Sequence, residues 1–259
     1  MHVMFLKDDS DLMVAPLPGK PVVHAPERGG AIEAAVAAIY ERLGGLLDAL
    51  AAKTGVDAAT IVGIWLVESS GRPFVTRHAS IRFEVHHFFE SWGKRNRQEF
   101  DTHFRFGSHN LQAGRPWENH EFRAEDPGVF SAVHHNQNSE YAALTLAQVL
   151  SGDEIALSCA SIGGAQILIG SHSWLGYETA RQMYDSFQES ERAHVIGFFD
   201  FCRAKPAPRV GDLIGYIHAG DWANFAKFYN GPGRIQEYAR KLEGYRDAAA
   251  VLLGEKAAA

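Results

Sequence analysis

The segment that most restricts how this chain can fold is Ile61-Val62-Gly63-Ile64-Trp65-Leu66-Val67-Glu68-Ser69-Ser70-Gly71, an apolar run closed by a carboxylate and a glycine. Asp57 upstream suits an N-cap and Gly71 a left-handed C-terminal cap, so the pattern predicts a short helix. Ile61, Ile64, Trp65 and Glu68 fall at i, i+3, i+4 and i+7 and share one helical face. That face is apolar and must be buried against other elements. An ionised carboxylate is costly to bury, so Glu68 is either paired or holds its proton well above the usual pH. The negative end of the helix dipole acts in the same direction. A protonated glutamate at the edge of an apolar wall is what a general acid requires. The competing reading is a rim glutamate turned to solvent.

Helical patterning dominates the rest. From Ala31 to Ala52 the residues Val36, Ile39, Tyr40, Leu43, Leu46, Leu47 and Leu50 repeat with helical spacing, interrupted by Gly44-Gly45, which mark a kink or a close contact. Further helices are predicted from Ser139, read as an N-cap, and near 153–160, 175–188, 190–203, 209–219, 221–229 and 232–250. Ser190 and Asp221 are candidate N-caps and Pro208 suits a helix start. The run Ile81 to Phe89 fits a strand or a helix equally. Residues 91–138 mix glycines, charges and aromatics without a period, and predict a long irregular excursion with a few short helices, its aromatics forming local core. Residues 1–30 carry Pro16, Pro18, Gly19, Pro21, Pro26 and Gly29 and predict an extended N-terminal arm. The expected organisation is therefore the arm at 1–30, one mainly α domain at 31–250, with room for a small β element, and a tail at 251–259.

Composition narrows the function classes. A net charge of −6 in 259 residues lacks the basic footprint of a nucleic-acid binder. The two cysteines, Cys159 and Cys202, read as small buried thiols, so no disulfide framework or cysteine zinc site is expected. The N-terminus lacks the pattern of a signal peptide and no run of 18 apolar residues appears, so synthesis in the cytoplasm without membrane insertion is expected. Thirteen histidines invite a metal, but His86-His87 and His134-His135 are adjacent pairs without the His-x-x-x-His spacing of a helical zinc site. No metal and no cofactor are expected, and His86 reads as a partner of a carboxylate.

Three further segments stand in order behind Glu68. They are Phe83-Glu84-Val85-His86-His87-Phe88, the glycine-rich Ser161-Ile162-Gly163-Gly164-Ala165-Gln166-Ile167, and Tyr229-Asn230-Gly231-Pro232-Gly233. In this order the chain resembles the lysozyme-like superfamily of peptidoglycan hydrolases. It is most similar to the N-acetylmuramidase domain of phage endolysins and related bacterial proteins, over roughly residues 31–250. That family shows Val-Glu-Ser-x-Gly, Phe-Glu-x-His-x-Phe, Ser-Trp-Gly-x-x-Gln-Ile and Tyr-Asn-Gly-Pro-Gly. Ile162 stands where the family has tryptophan, a departure that falls on the sugar-contacting surface near Gln166.

The resemblance implies a lysozyme-like helical fold and cleavage of the MurNAc–GlcNAc bond of peptidoglycan glycan strands. It makes Glu68 the general acid, with Tyr229 orienting it, and places Ser69, Gln166, Asn230 and His86 at the substrate. Gln166 and Asn230 alternatively serve turn or capping chemistry. Glu84 is the second carboxylate that glycoside hydrolysis commonly uses, or equally a buried salt-bridge partner of Arg72 or Arg82. Without a base to activate water, the sugar's own hydroxyl attacks and the enzyme is a lytic transglycosylase. A non-catalytic glycan-binding module is the third reading. Delivery through a phage holin or as an exported antibacterial effector, the latter with secretion machinery and a cognate immunity protein, fits the missing signal peptide equally.

Overall fold

The computed structural model describes residues 5–20, 30–69, 74, 75, 77–107 and 116–254. The expectations placed on Gly71 and Arg72, and on the side chain of Ser69, lie outside the described residues. Two compact units emerge, one formed by 1–73, 174–176 and 191–259, the other by 74–173 and 177–190. The second interrupts the first in sequence, so the first is assembled from segments far apart in the chain.

The first unit begins with a 3₁₀ turn at Leu6–Asp8 and α1 (Ser10–Val14), capped by the Asp9 carboxylate. Residues 5–20 thus contain short helical pieces where the proline pattern predicts an extended arm. They are held down: the Asp200 carboxylate accepts from Leu6 N (2.7 Å) and Lys7 N (3.0 Å), and Arg192 Nη2 donates to Ala15 O (2.5 Å). α2 (Ala31–Thr54) buries all seven apolar positions of its predicted stripe. Its glycine pair marks a close contact: a Cβ at Gly45 would lie 2.4 Å from Pro16 O, and Gly45 N itself donates to Leu17 O (3.1 Å).

α3 (Ala58–Ser69) follows, its first turn closed by Asp57, which accepts from Thr60 N (2.8 Å). The expected one-sided apolar face proves too narrow. Ala59, Ile61, Val62, Ile64 and Trp65 are all fully buried, so α3 is enclosed on every side, as a helix apolar all round must be. Burying each large aliphatic side chain here contributes about 1.5–3 kcal/mol.

The second unit starts with the hairpin of β1 (Phe74–Val75) and β2 (His78–Ala79). The ambiguous run 81–89 contains both structures, β3 (Ile81–Phe83) and then α4 (Val85–Phe88). The excursion holds a π-helical turn at Phe89–Gly93, α5 (Arg97–His103) and a three-stranded sheet of β4 (Phe104–Arg105), β5 (Glu121–Phe122) and β6 (Ser131–Ala132). Its aromatics form core only in part: Phe100 and Phe104 interlock with Phe83 and Phe88 at ring centroids 5.2–6.1 Å apart and Trp92 is buried, whereas Phe106, Phe122 and Phe130 are half-buried and Trp117 is exposed. α6 (Gln137–Ser151) begins two residues before the expected cap, because Asn136 Oδ1 accepts from Ser139 N (3.0 Å). α7 (Asp153–Ser158) leads into β7 (Ala160–Ile162) and β8 (Ile167–Leu168), which join β3 in antiparallel order β3-β7-β8. α8 (Ala180–Glu189) completes the unit.

The chain then returns to the first unit with α9 (Glu191–Ala204) and a small hairpin of β9 (Pro206–Ala207) and β10 (Gly211–Asp212). Pro208 therefore lies in a turn, and the helix expected near 209 starts only after Asp212 as α10 (Leu213–His218). α11 (Trp222–Asn230) is capped by Asp221 as predicted. α12 (Ile235–Leu253) packs along α3, extending past the expected start of the tail at 251. A Cβ on Gly63 would lie 2.9 Å from Arg246 N, so the two helix backbones approach as closely as glycine allows. No single helix among the described residues is long and apolar enough to cross a membrane.

Candidate active site

Glu68 sits in the last turn of α3, partly exposed, at a cavity of about 340 Å³. The same cavity is lined by Val67 and Asn230 and, from the turn and first helical turns beyond, by Gly233, Arg234, Glu237, Tyr238 and Lys241. The Tyr238 hydroxyl donates to Glu68 Oε1. Tyr229, at the end of α11, also hydrogen-bonds the Glu68 carboxyl. Burial pushes the Glu68 carboxyl up from 4.5 to about 7, although both tyrosine hydrogen bonds favour the charged form. Desolvation wins because no cation pairs with this carboxylate among the described residues. Burial likewise holds both phenols well above their usual range, so they remain donors.

The contrast with the neighbouring buried acids is informative. Glu191 faces Arg42 at 3.1 Å and the Trp65 indole at 3.3 Å, and Asp200 is consumed by two backbone amides. Those carboxylates hold structure. Burial raises all three, Asp200 to about 6, but of the three Glu68 is the one that lines the cavity. Tyr229 is fixed in turn by stacking on Phe225 (5.5 Å) and by edge contacts with Phe198 and Phe201. Asn230, exposed, ends α11 where Gly231 takes φ +88°.

Sequence reasoning did not single out Tyr238. Its position, i+3 from Ile235 on a helix with apolar residues on one face, gives it the appearance of ordinary core, and nothing local indicates that its hydroxyl reaches Glu68.

The remaining candidates belong to the second unit. Glu84 follows β3, where its amide donates to Cys159 O (2.8 Å). Arg82 Nε donates to Glu84 Oε1 at 2.8 Å, the salt bridge that was one of its two expected roles. Glu84 Oε2 is buried without a hydrogen-bond partner among the described residues. His86 Nδ1 lies 3.5 Å and His120 Nδ1 3.7 Å from that oxygen. Burial holds His86 down to about 4 and His120 to about 3, so both imidazoles are neutral at pH 7. Gln166 closes the β7–β8 turn at φ +48°, and its amide nitrogen donates to Gly163 O (2.8 Å) and Ser80 O (3.1 Å). That is the turn chemistry weighed against ligand binding, although the residue itself is exposed. Ile162 is fully buried opposite Ile81 in the sheet.

Helices with only small sheets between them make up a lysozyme-like fold. The crystal structure of the Burkholderia AP3 phage endolysin shares this fold, with a TM-score of 0.56 at 24% identity, covering 88% of this chain and 75% of that one. The N-acetylmuramidase family model matches residues 57–249, and the chain belongs to that family of peptidoglycan hydrolases. No curated relative matches the sequence significantly.

Proposed function

We propose that this enzyme cleaves the glycosidic bond between N-acetylmuramic acid and N-acetylglucosamine, with Glu68 as the general acid. The observation that carries the reading is a carboxyl group pushed to about 7 by burial, beside a cavity and two tyrosine donors. At neutral pH a substantial fraction of Glu68 carries a proton to give to the leaving oxygen. Once the proton has left, the Tyr229 and Tyr238 hydroxyls stabilise the new carboxylate. They therefore limit how far its affinity for the proton rises, keeping it usable as an acid rather than permanently protonated. Asn230, Arg234 and Lys241 supply hydrogen-bond donors and positive charge for the amide and carboxylate groups of the substrate.

The second carboxylate is better sought at Glu237 than at Glu84. Glu237 lines the same cavity as Glu68, and Lys241 at 3.1 Å holds its carboxyl below the usual range, so it stays ionised. A pair with one member protonated and the other charged is the pattern of acid and base in a glycosidase. Glu84 is tied to Arg82 and its other oxygen is buried, which favours a holding role.

The alternative keeps Glu68 and dispenses with a base, the muramyl hydroxyl attacking to leave an anhydro end. Mass analysis of fragments from purified sacculi separates the two chemistries, since only hydrolysis adds water. Glu68→Gln should abolish release of fragments while the protein stays folded. Undiminished release would end the assignment.

A further inference from the structure

In the second unit, imidazole nitrogens converge on the buried Glu84 Oε2. Pro116 O can only accept, so His120 Nε2, 3.0 Å away, carries the hydrogen and His120 Nδ1 presents a lone pair. His86 Nδ1 lies somewhat farther from the same nitrogen, at 3.3 Å. Glu140 Oε2 accepts from Phe83 N (2.7 Å), and its Oε1 lies 2.8 Å from His134 Nδ1, which is therefore the protonated nitrogen of that ring. His134 Nε2 in turn lies 2.8 Å from His120 Nδ1. On the other side stands Glu84 Oε2, buried and without a hydrogen-bond partner among the described residues. Facing acceptors in a buried site are costly until a cation enters. A metal ion at Glu84 Oε2 supplies that cation.

We propose that Glu84 Oε2, His86 Nδ1 and His120 Nδ1 bind a divalent transition metal of the zinc class. The three residues offer ligand atoms within 4.8 Å of one another. Glu84 Oε2 is 3.5 Å from His86 Nδ1 and 3.7 Å from His120 Nδ1. Tetrahedral coordination at zinc bond lengths places ligand atoms about 3.4 Å apart, so these separations need only small adjustment. Two imidazoles and one carboxylate suit zinc better than calcium or magnesium, which favour all-oxygen shells. The supporting contacts are those a metal site uses: a carbonyl fixes the His120 tautomer, and Arg82 holds the second oxygen of Glu84 (2.8 Å). Three protein ligands would leave the fourth position of a tetrahedral ion open to water. The ligands come from the junction of β3 and α4, from α4 and from the loop before β5, so the ion ties the irregular excursion to the β3 sheet. Sequence spacing misses the set because His120 stands 34 residues beyond His86, and the adjacent histidine pairs that catch the eye contribute one ligand between them.

The test uses the full chain without an affinity tag, stripped with chelator and titrated with Zn²⁺ by calorimetry and with Co²⁺ by visible absorption. One ion per chain is expected, with the intense bands of tetrahedral cobalt. His86→Gln and His120→Gln should each weaken binding at least tenfold, with circular dichroism reporting the fold. If the buried His120 variant unfolds, the more exposed His86 variant carries the comparison. Glu68→Gln should bind metal as the wild type does, so this site and the muramidase reading stand or fall separately. No stoichiometric uptake by the wild type, or binding unchanged in folded His86→Gln, would each overturn the site.

Discussion

If Glu68 keeps its proton because burial penalises its charge, replacing it with glutamine should stabilise the protein while abolishing activity. The sign follows from linkage. The folded carboxyl titrates at about 7 against 4.5 for an ordinary glutamate, so between these values the native state binds more protons than the unfolded one. Stability is then fully present below about pH 4.5, declines as pH rises, and has lost its full increment above about pH 7. A shift of about 2.5 units corresponds to roughly 3 kcal/mol. Glutamine keeps the shape and still accepts from Tyr238 but never ionises. Glu68→Gln should therefore unfold at a higher denaturant midpoint than wild type at pH 8, by up to about 3 kcal/mol, and the gap should close towards pH 4.5. Urea unfolding followed by fluorescence at both pH values measures it. Equal stability at pH 8, or a difference that does not depend on pH, would refute the view that Glu68 sits desolvated and uncharged.

Other consequences concern the same site and the packing that holds it. Tyr238→Phe removes a hydrogen bond to the charged form, about 1.5–3 kcal/mol, so the alkaline limb of the pH–kcat/KM profile should move up by about one to two units; an unmoved limb would exclude Tyr238 as a partner of the acid. Gly63→Ala puts a methyl 2.9 Å from Arg246 N, which should cost about 1–3 kcal/mol by thermal unfolding as α12 is forced off α3. Asp57→Ala removes the cap of α3 and should cost about 0.5–2 kcal/mol, read by the same melts.

What the sequence by itself determined is the helical frame and the acid at its centre. The stripe of α2, the apolar run of α3 and the N-caps at Asp57 and Asp221 are local matters of periodicity and hydrogen-bonding side chains, and the family motifs stand in readable order. Tertiary structure decided what surrounds that acid. Nothing local brings the Tyr238 hydroxyl to Glu68, or Glu237 to the same cavity, because both depend on α12 lying against α3 at a distance only Gly63 permits. The capping of α6 moved from Ser139 to Asn136, and the helix expected at Pro208 began at Leu213, because several residues in each stretch could cap and packing selected among them. Residues 81–89 held a strand and a helix in succession, which a single period cannot express. The proton affinity of Glu68 has the same origin: the sequence offers a carboxylate beside apolar residues, but only the packing around the end of α3 supplies the burial that pushes its carboxyl up.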